Sequence, residues 1–412
     1  MFSTFQSCKD KIYHYYGYDT SFLYLLTALS VFVLYTVIDT INTFIFTFYP
    51  IYHTVYAQGS ADSVYFMYAV DQLLSFKLPT SNFDGAILAL LIYTIPISFA
   101  KFFSVDIGFS FRIFYLLILL CTGYGIYLTG TKLFSDQTGY KLSLSFIFNP
   151  FIFILSVWAG SEEIIEALFF VFILYFIVTD RIKYAILLIF VATFYKYYTI
   201  LLLPGAVLSI KDPKTRLKVI SALTIFFSVI GFLFLIFLNK YVVYLFDRYI
   251  ASFQVKGKGI YNLLVEYAHF SLVNEILIFG YYLLMFCVYV VFLYKTRHSD
   301  EPFKYGLVFL LFFILYPEFY SSYLIIPFVS VVLLYPLTKN HVKLVNFIVL
   351  PIASALYEFA FNYIDSPYSL LHIEPNLFLR LIGIIFVFCL YGIMLLWLYS
   401  YFKFVYSVSE DE

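Results

Sequence analysis

Long apolar runs separated by short polar breaks make up almost the whole chain. They fall near residues 21–48, 109–131, 142–158, 162–179, 219–238, 276–294, 305–319, 323–337, 344–362 and 378–402. None shows the period-two alternation of a membrane β-strand, and most are long enough to cross roughly 30 Å of hydrocarbon as a helix. The pattern predicts an all-α polytopic membrane protein of about 10–12 transmembrane helices, some of them re-entrant or broken. No internal repeat, linker or low-complexity tract stands out, so residues 1–412 read as one domain.

Two apolar segments do not fit simple counting. Positive charge marks inside loops, and the basic loops are Thr131–Lys141, Asp180–Lys183, Lys211–Lys218, Lys295–Lys304 and Thr338–Lys343. If 86–100, which contains Pro96, crossed fully, the Lys132 loop would move outside; it is read as an interfacial or re-entrant helix. If 184–210 crossed once, the most basic loop would lie outside. Read as two half-helices, 184–195 and 197–210, the segment turns at Lys196 and returns. Broken helices at membrane depth survive where protein lines them. This scheme puts the N-terminus and the acidic tail inside, and the loops 49–83 and 239–275 outside.

Composition narrows the class further. The chain is 63% hydrophobic and 12% charged, with a mean hydropathy of +0.91, which no soluble globule could bury. Formal net charge is zero, so there is no basic field for nucleic acid. The cysteines (Cys8, Cys121, Cys287, Cys389) form no C-x-x-C pair and read as small apolar residues. The first run, from Ser21 to Phe48, is too long for a signal peptide and lacks a small-residue cleavage site. With 52 Phe and 42 Tyr, aromatic residues suffice for interfacial belts as well as core.

Against this background the few charges inside or beside apolar runs become candidates for function. Glu162 and Glu163 sit at a Gly-Ser break, with Glu166 one turn on. A helix start favours one such acid through its dipole, but three within five residues exceed what a cap needs. Lys196 stands in Phe-Tyr-Lys-Tyr-Tyr between apolar halves. It is either a lysine snorkelling to headgroups or a fixed cation facing a phosphate. Asp62 lies just before a helical pattern carrying Tyr65 and Tyr68, and is either its N-cap or an acid of the same outer face. Gln254, Lys256 and Lys258 lie in Gln-Val-Lys-Gly-Lys-Gly, either a solvated basic loop or an anion site. It is not a P-loop, because no Ser or Thr follows the lysine. His53, His372 and Glu374 share no ligand spacing, so no metal is assigned and a divalent cation lacks sequence support.

Acids facing cations at one mouth suit transfer of a sugar from a lipid phosphate: an acid activates the hydroxyl and cations hold the leaving phosphate. At these residues the chain resembles the GT-C superfamily of glycosyltransferases. It is most similar to the polyprenyl-phosphate-mannose-using branch that includes the GPI mannosyltransferase I catalytic subunit and its prokaryotic relatives. Four pieces occur in family order: Asp62 with Tyr65 and Tyr68; Asn149-Pro150, Ser156 and Gly160 followed by Glu162 and Glu163; Lys196 to Pro204; and Ser321-Ser-Tyr323 to Pro327. The resemblance implies Asp62, Glu162 and Glu163 as catalytic and Lys196 near the donor phosphate; Lys256 and Lys258 are expected to help it, from their own Gly-Lys steps. Tyr65, Gln254 and Tyr323 are expected to position substrate. The chain departs from the family at Trp158-Ala159, where an Arg commonly precedes the glycine, and in the isolation of Asp62.

The expected activity is therefore hexosyl transfer, with mannose first, from a polyprenyl or dolichyl phosphate to a lipid-linked or glycan acceptor. Catalysis is expected on the extracytoplasmic face of a cell or endoplasmic-reticulum membrane. The alternatives are a lipid-linked-sugar flippase, a secondary transporter, and an inactive subunit that keeps the fold.

Overall fold

A computed structural model of the chain describes Val70, Ser75 and residues 87–158, 160–210, 212–237, 283–284, 286–292, 303–315, 320–338, 340–358 and 377–409. Every regular element among them is helical. In order they are α1 (Ile87–Phe103), α2 (Ile107–Leu133), α3 (Asp136–Ile147) and α4 (Pro150–Ile152), which runs on as a π-helix over Phe153–Trp158. Then come α5 (Glu163–Val178), α6 (Ile182–Thr193), a 3-10 helix (Tyr197–Leu202), α7 (Leu203–Leu208) and α8 (Pro213–Phe237). The last part holds α9 (Phe303–Leu315), a 3-10 helix (Ser321–Leu324), α10 (Ile325–Leu333) and a 3-10 turn (Tyr335–Leu337). After it come α11 (Asn340–Leu344) with a π-helical continuation (Val345–Val349), α12 (Leu350–Glu358) and α13 (Leu377–Ser409).

Two described helices are long and apolar enough to cross a membrane, α2 and the Gly383–Phe402 part of α13. A third span results if α3 and the following Pro150–Val157 segment, bent by 47°, are taken together. The bend has a local cause. Pro150 cannot donate to the preceding turn, and Asn149 restarts the helix by accepting from the Phe151 amide at 2.9 Å. The expected single helix over 142–158 is thus two pieces. The expected loop over 131–141 is also much shorter: Phe134 and Ser135 alone separate α2 from α3, and Lys132 and Lys141 lie on helices. Gly139 permits this tight pairing, since a Cβ there would come within 2.6 Å of the Tyr127 carbonyl.

The core is one continuous apolar cluster. Helix α2 packs on α3 and α5, α5 on α6 and α10, α9 on α10 and α13, and α12 on α13. The expected break within 184–210 is present. Helix α6 ends at Thr193, Lys196 is extended (φ −142°, ψ 127°), and α7 packs back on α6. At 12 residues, α6 is about 18 Å long and falls short of a bilayer. The segment expected at 86–100 is helical over Ile87–Phe103, as α1. Its leading amide, on Leu88, donates to the Phe194 carbonyl at 3.2 Å, tying α1 to the hairpin turn. Just past the hairpin, Asp212 starts α8 by accepting from the Thr215 amide at 2.9 Å and from its hydroxyl. Those bonds hold its carboxyl below the usual range.

A buried polar knot ties the irregular segments together. Trp397 Nε1 donates to Asn346 Oδ1 (2.8 Å), Asn346 Nδ2 to the Tyr335 hydroxyl (3.1 Å), and Asn149 Nδ2 to the Asn346 carbonyl (3.1 Å). The bend at Asn149, the π-helix at 345–349 and the 3-10 turn at 335–337 all meet there. We expect Asn346→Ala to cost about 3 kcal/mol, because it strands the Trp397 N–H and the Tyr335 hydroxyl in the core. Thermal unfolding in detergent measures this, and an unchanged midpoint contradicts it.

Candidate functional site

The site begins where the π-helix ends. Gly160 takes φ 67°, a left-handed conformation that favours glycine and lets the chain reverse into α5. The Ser161 amide closes the reversal on the Leu155 carbonyl at 2.9 Å. Glu162 occupies the N-cap of α5 but makes no side-chain capping bond, so its carboxylate is not used as a cap. Glu163 and Glu166 follow on one face, one turn apart, and both are buried.

The hairpin turn supplies the counter-charge. Lys196 Nζ lies 2.8 Å from Glu162 Oε1, 3.1 Å from Glu163 Oε1 and 4.0 Å from Glu166 Oε1. The carboxylates grade in depth: the Glu162 side chain is 18% exposed and the Glu166 side chain 3%. Glu162 is therefore the acid that an incoming group meets first. Ser161 Oγ donates to Glu163, and the Tyr198 hydroxyl donates to Glu166. The Lys196 ammonium also sits 5.6 Å from the centre of the Tyr323 ring and 6.0 Å from that of Tyr198, both within cation–π range. Phe309, Phe312 and Phe313 of α9 surround Tyr198, and Phe313 also meets Tyr323. One ammonium, three carboxylates and a wall of rings thus share one small volume.

The structure brings Glu162, Glu163, Glu166, Lys196 and Tyr323 together, five of the residues singled out from sequence. Asp62, Tyr65, Gln254, Lys256 and Lys258 lie outside the described residues. Acid and cation were expected on facing walls, but they are in direct contact, so Lys196 first serves to hold the carboxylates. The sequence reading assigned no role to Tyr198 or Tyr195, although both flank Lys196 in the same pentapeptide. Among the described residues no group of three His, Cys, Asp or Glu has a metal-holding arrangement, and the lysine nitrogen occupies the space between the acids.

A second turn of the same construction borders the site. Tyr320 is extended (φ −126°, ψ 147°) like Lys196, and a 3-10 helix then leads into a helix with proline in its first turn. From extended residue to proline, the two stretches read Lys196-Tyr-Tyr-Thr-Ile-Leu-Leu-Leu-Pro204 and Tyr320-Ser-Ser-Tyr-Leu-Ile-Ile-Pro327. Their rings meet, Tyr198 to Tyr323, at 6.5 Å.

Removing one partner of a buried charge cluster strands the others, at a cost of about 3–5 kcal/mol. We expect Lys196→Met to lower stability by that order, and Glu162→Gln with Glu163→Gln to restore part of it in the same chain. Thermal unfolding of the purified variants decides; a Lys196→Met protein as stable as wild type would show that the carboxylates do not depend on the lysine. No protein-family model and no curated protein matches this chain, so its functional reading rests on the geometry of this cluster.

Proposed function

We propose that the chain is a polytopic membrane glycosyltransferase. It moves a hexose, mannose being the first candidate, from a polyprenyl or dolichyl phosphate to a lipid-linked or glycan acceptor on the extracytoplasmic face. The observation that carries this reading is the charged cluster of Glu162, Glu163, Glu166 and Lys196 at the turn of a hairpin too short to cross a bilayer. Charges in an apolar bundle are costly, and a structural role needs fewer of them. The exposed stripe of Leu91, Ile95, Phe99 and Phe102 on α1 suits a lipid-facing surface and supports placement in a membrane.

The proposed chemistry uses one acid as base and two others to orient the sugar. An acceptor hydroxyl oxygen attacks the anomeric carbon of the sugar while a carboxylate takes its proton. The bond from that carbon to the phosphate oxygen breaks, and the carrier phosphate leaves with the electron pair. This single displacement inverts the anomeric centre. Asp62 is the proposed base, with Glu162 and Glu163 orienting sugar hydroxyls. Lys196 already lies close to two carboxylates and 4.0 Å from a third, so most of the phosphate charge falls to Lys256 and Lys258 in the 239–275 segment, with Lys196 contributing through a remaining N–H. Tyr323, and Tyr65 and Gln254 beyond the described residues, are proposed to position the substrate.

One observation favours a second reading. Paired broken helices are a feature of secondary transporters, and the Lys196 and Tyr320 turns form such a pair. Charge sits on the Lys196 turn and its acids, whereas the described part of the second turn presents rings and hydroxyls. That asymmetry suits a chemical site better than a translocation path between equivalent halves.

Incubating the purified protein with radiolabelled polyprenyl-phosphate-mannose and a membrane lipid extract separates the readings. Labelled product supports transfer, and labelled donor crossing a vesicle without product supports transport. Asp62→Asn and Glu163→Gln are each expected to lower transfer about 100-fold or more while the protein still inserts and folds. Wild-type turnover in either variant removes that residue from the mechanism.

A further inference from the structure

Three buried tyrosines run from the site into the neighbouring helices. The Tyr195 hydroxyl, beside Lys196, donates to the main-chain carbonyl of Glu162 at 3.3 Å. It also pairs with the Tyr93 hydroxyl of α1 at 3.3 Å, which pairs with the Tyr115 hydroxyl of α2 at 3.1 Å. All three side chains are at most 2% exposed. Burying a phenol without a partner is costly, so a linked row of them forms a rigid polar strut within apolar packing. Phe111 and Phe114 brace it against Tyr93, and Phe169 against Tyr195.

The strut ends where the site needs control. The N-cap side chain of Glu162 makes no capping bond, so the peptide that carries it is held by the Ile165 amide, 3.0 Å from the Glu162 carbonyl, and by Tyr195. The same α1 fixes the other side of the ion pair, because the Leu88 amide binds the Phe194 carbonyl two residues before Lys196. Helix α1 therefore binds the lysine-bearing turn twice, through Leu88 and Tyr93, and reaches the acid-bearing turn through Tyr195.

We propose that Tyr195 and Tyr93 are positioning residues for Glu162: acting in series from α1, they fix the main chain of Glu162 so that its carboxylate faces both Lys196 and the substrate. The inference rests on the transferase reading for its kinetic consequence but not for its geometry. Neither tyrosine touches substrate; both act through Glu162.

The test is a set of Phe variants of the full-length purified protein, assayed with polyprenyl-phosphate-mannose. Tyr195→Phe should lower kcat about tenfold, as a small misplacement of a substrate-orienting group does, and leave the donor KM within about twofold. Tyr93→Phe should fall in the same direction, and the double variant should be no slower than Tyr195→Phe, because a strut broken once is broken. In a Glu162→Gln background Tyr195→Phe should have no further effect. Multiplying losses in the double variant, or a loss confined to KM, overturns the proposal. Should wild type transfer no sugar, the transferase reading fails, and thermal unfolding still judges the strut. The destabilisation by Glu162→Gln should then shrink by about 2 °C or more in the Tyr195→Phe background. Strictly additive shifts overturn the inference.

Discussion

The ion pairs of Lys196 are the interaction on which the rest of this structure depends. A single ammonium lies within 4.0 Å of three carboxylates that would otherwise repel one another inside an apolar bundle. Coulomb attraction in such surroundings is strong, but desolvating four ionisable groups is costly, so the cluster stays only where geometry is enforced from several sides. The enforcement is visible. Gly160 reverses the chain into α5, the hairpin break turns Lys196 toward it, Tyr198 and Ser161 occupy carboxylate oxygens, and α1 holds the lysine-bearing turn, whose Tyr195 bonds the Glu162 carbonyl.

That dependence explains why the irregular segments are where they are. A continuous helix through 182–208 would carry Lys196 along a face among apolar side chains. Ending α6 at Thr193 and extending the backbone at Lys196 places the ammonium over the start of α5 instead. The bend at Asn149 and the π-helix that follows re-aim the segment leading to Gly160. The knot of Asn149, Asn346, Tyr335 and Trp397 anchors its far end in α13 and in the 335–349 region. Broken and irregular helices collect around the charged cluster and at its anchor.

Much of this was legible in the amino-acid order, for physical reasons that also mark its limits. Apolar runs and charge placement give helical class and the break at Lys196, because a lysine between two short apolar halves fits few other arrangements. They single out Glu162 and Glu163 as candidates because charge in apolar surroundings is rare, and the structure places both against Lys196. They do not give contact between Lys196 and those acids, since partners 33 residues apart meet only through the packing of α5 on α6. Nor do they single out Tyr93, Tyr115 and Tyr195 among 42 tyrosines, because a phenol in a strut and a phenol at a lipid surface look alike in sequence. The bend at Asn149 had a signal in Asn-Pro, yet its hydrophobic surroundings read as one unbroken helix. The likeness of the two proline-ended turns is short and conservative, and it acquires meaning once both are seen to make the same 3-10 turn.

The central claim is that lysine and acids form one unit whose charges matter through one another. Exchanging them tests this most directly: Lys196→Glu, Glu163→Lys and the two together, compared by thermal unfolding of the purified protein. The account predicts that each single exchange is strongly destabilised and that the double exchange recovers a large part of the loss, because opposite charges again face each other across the turn. A double variant whose loss equals the sum of the two singles would contradict it.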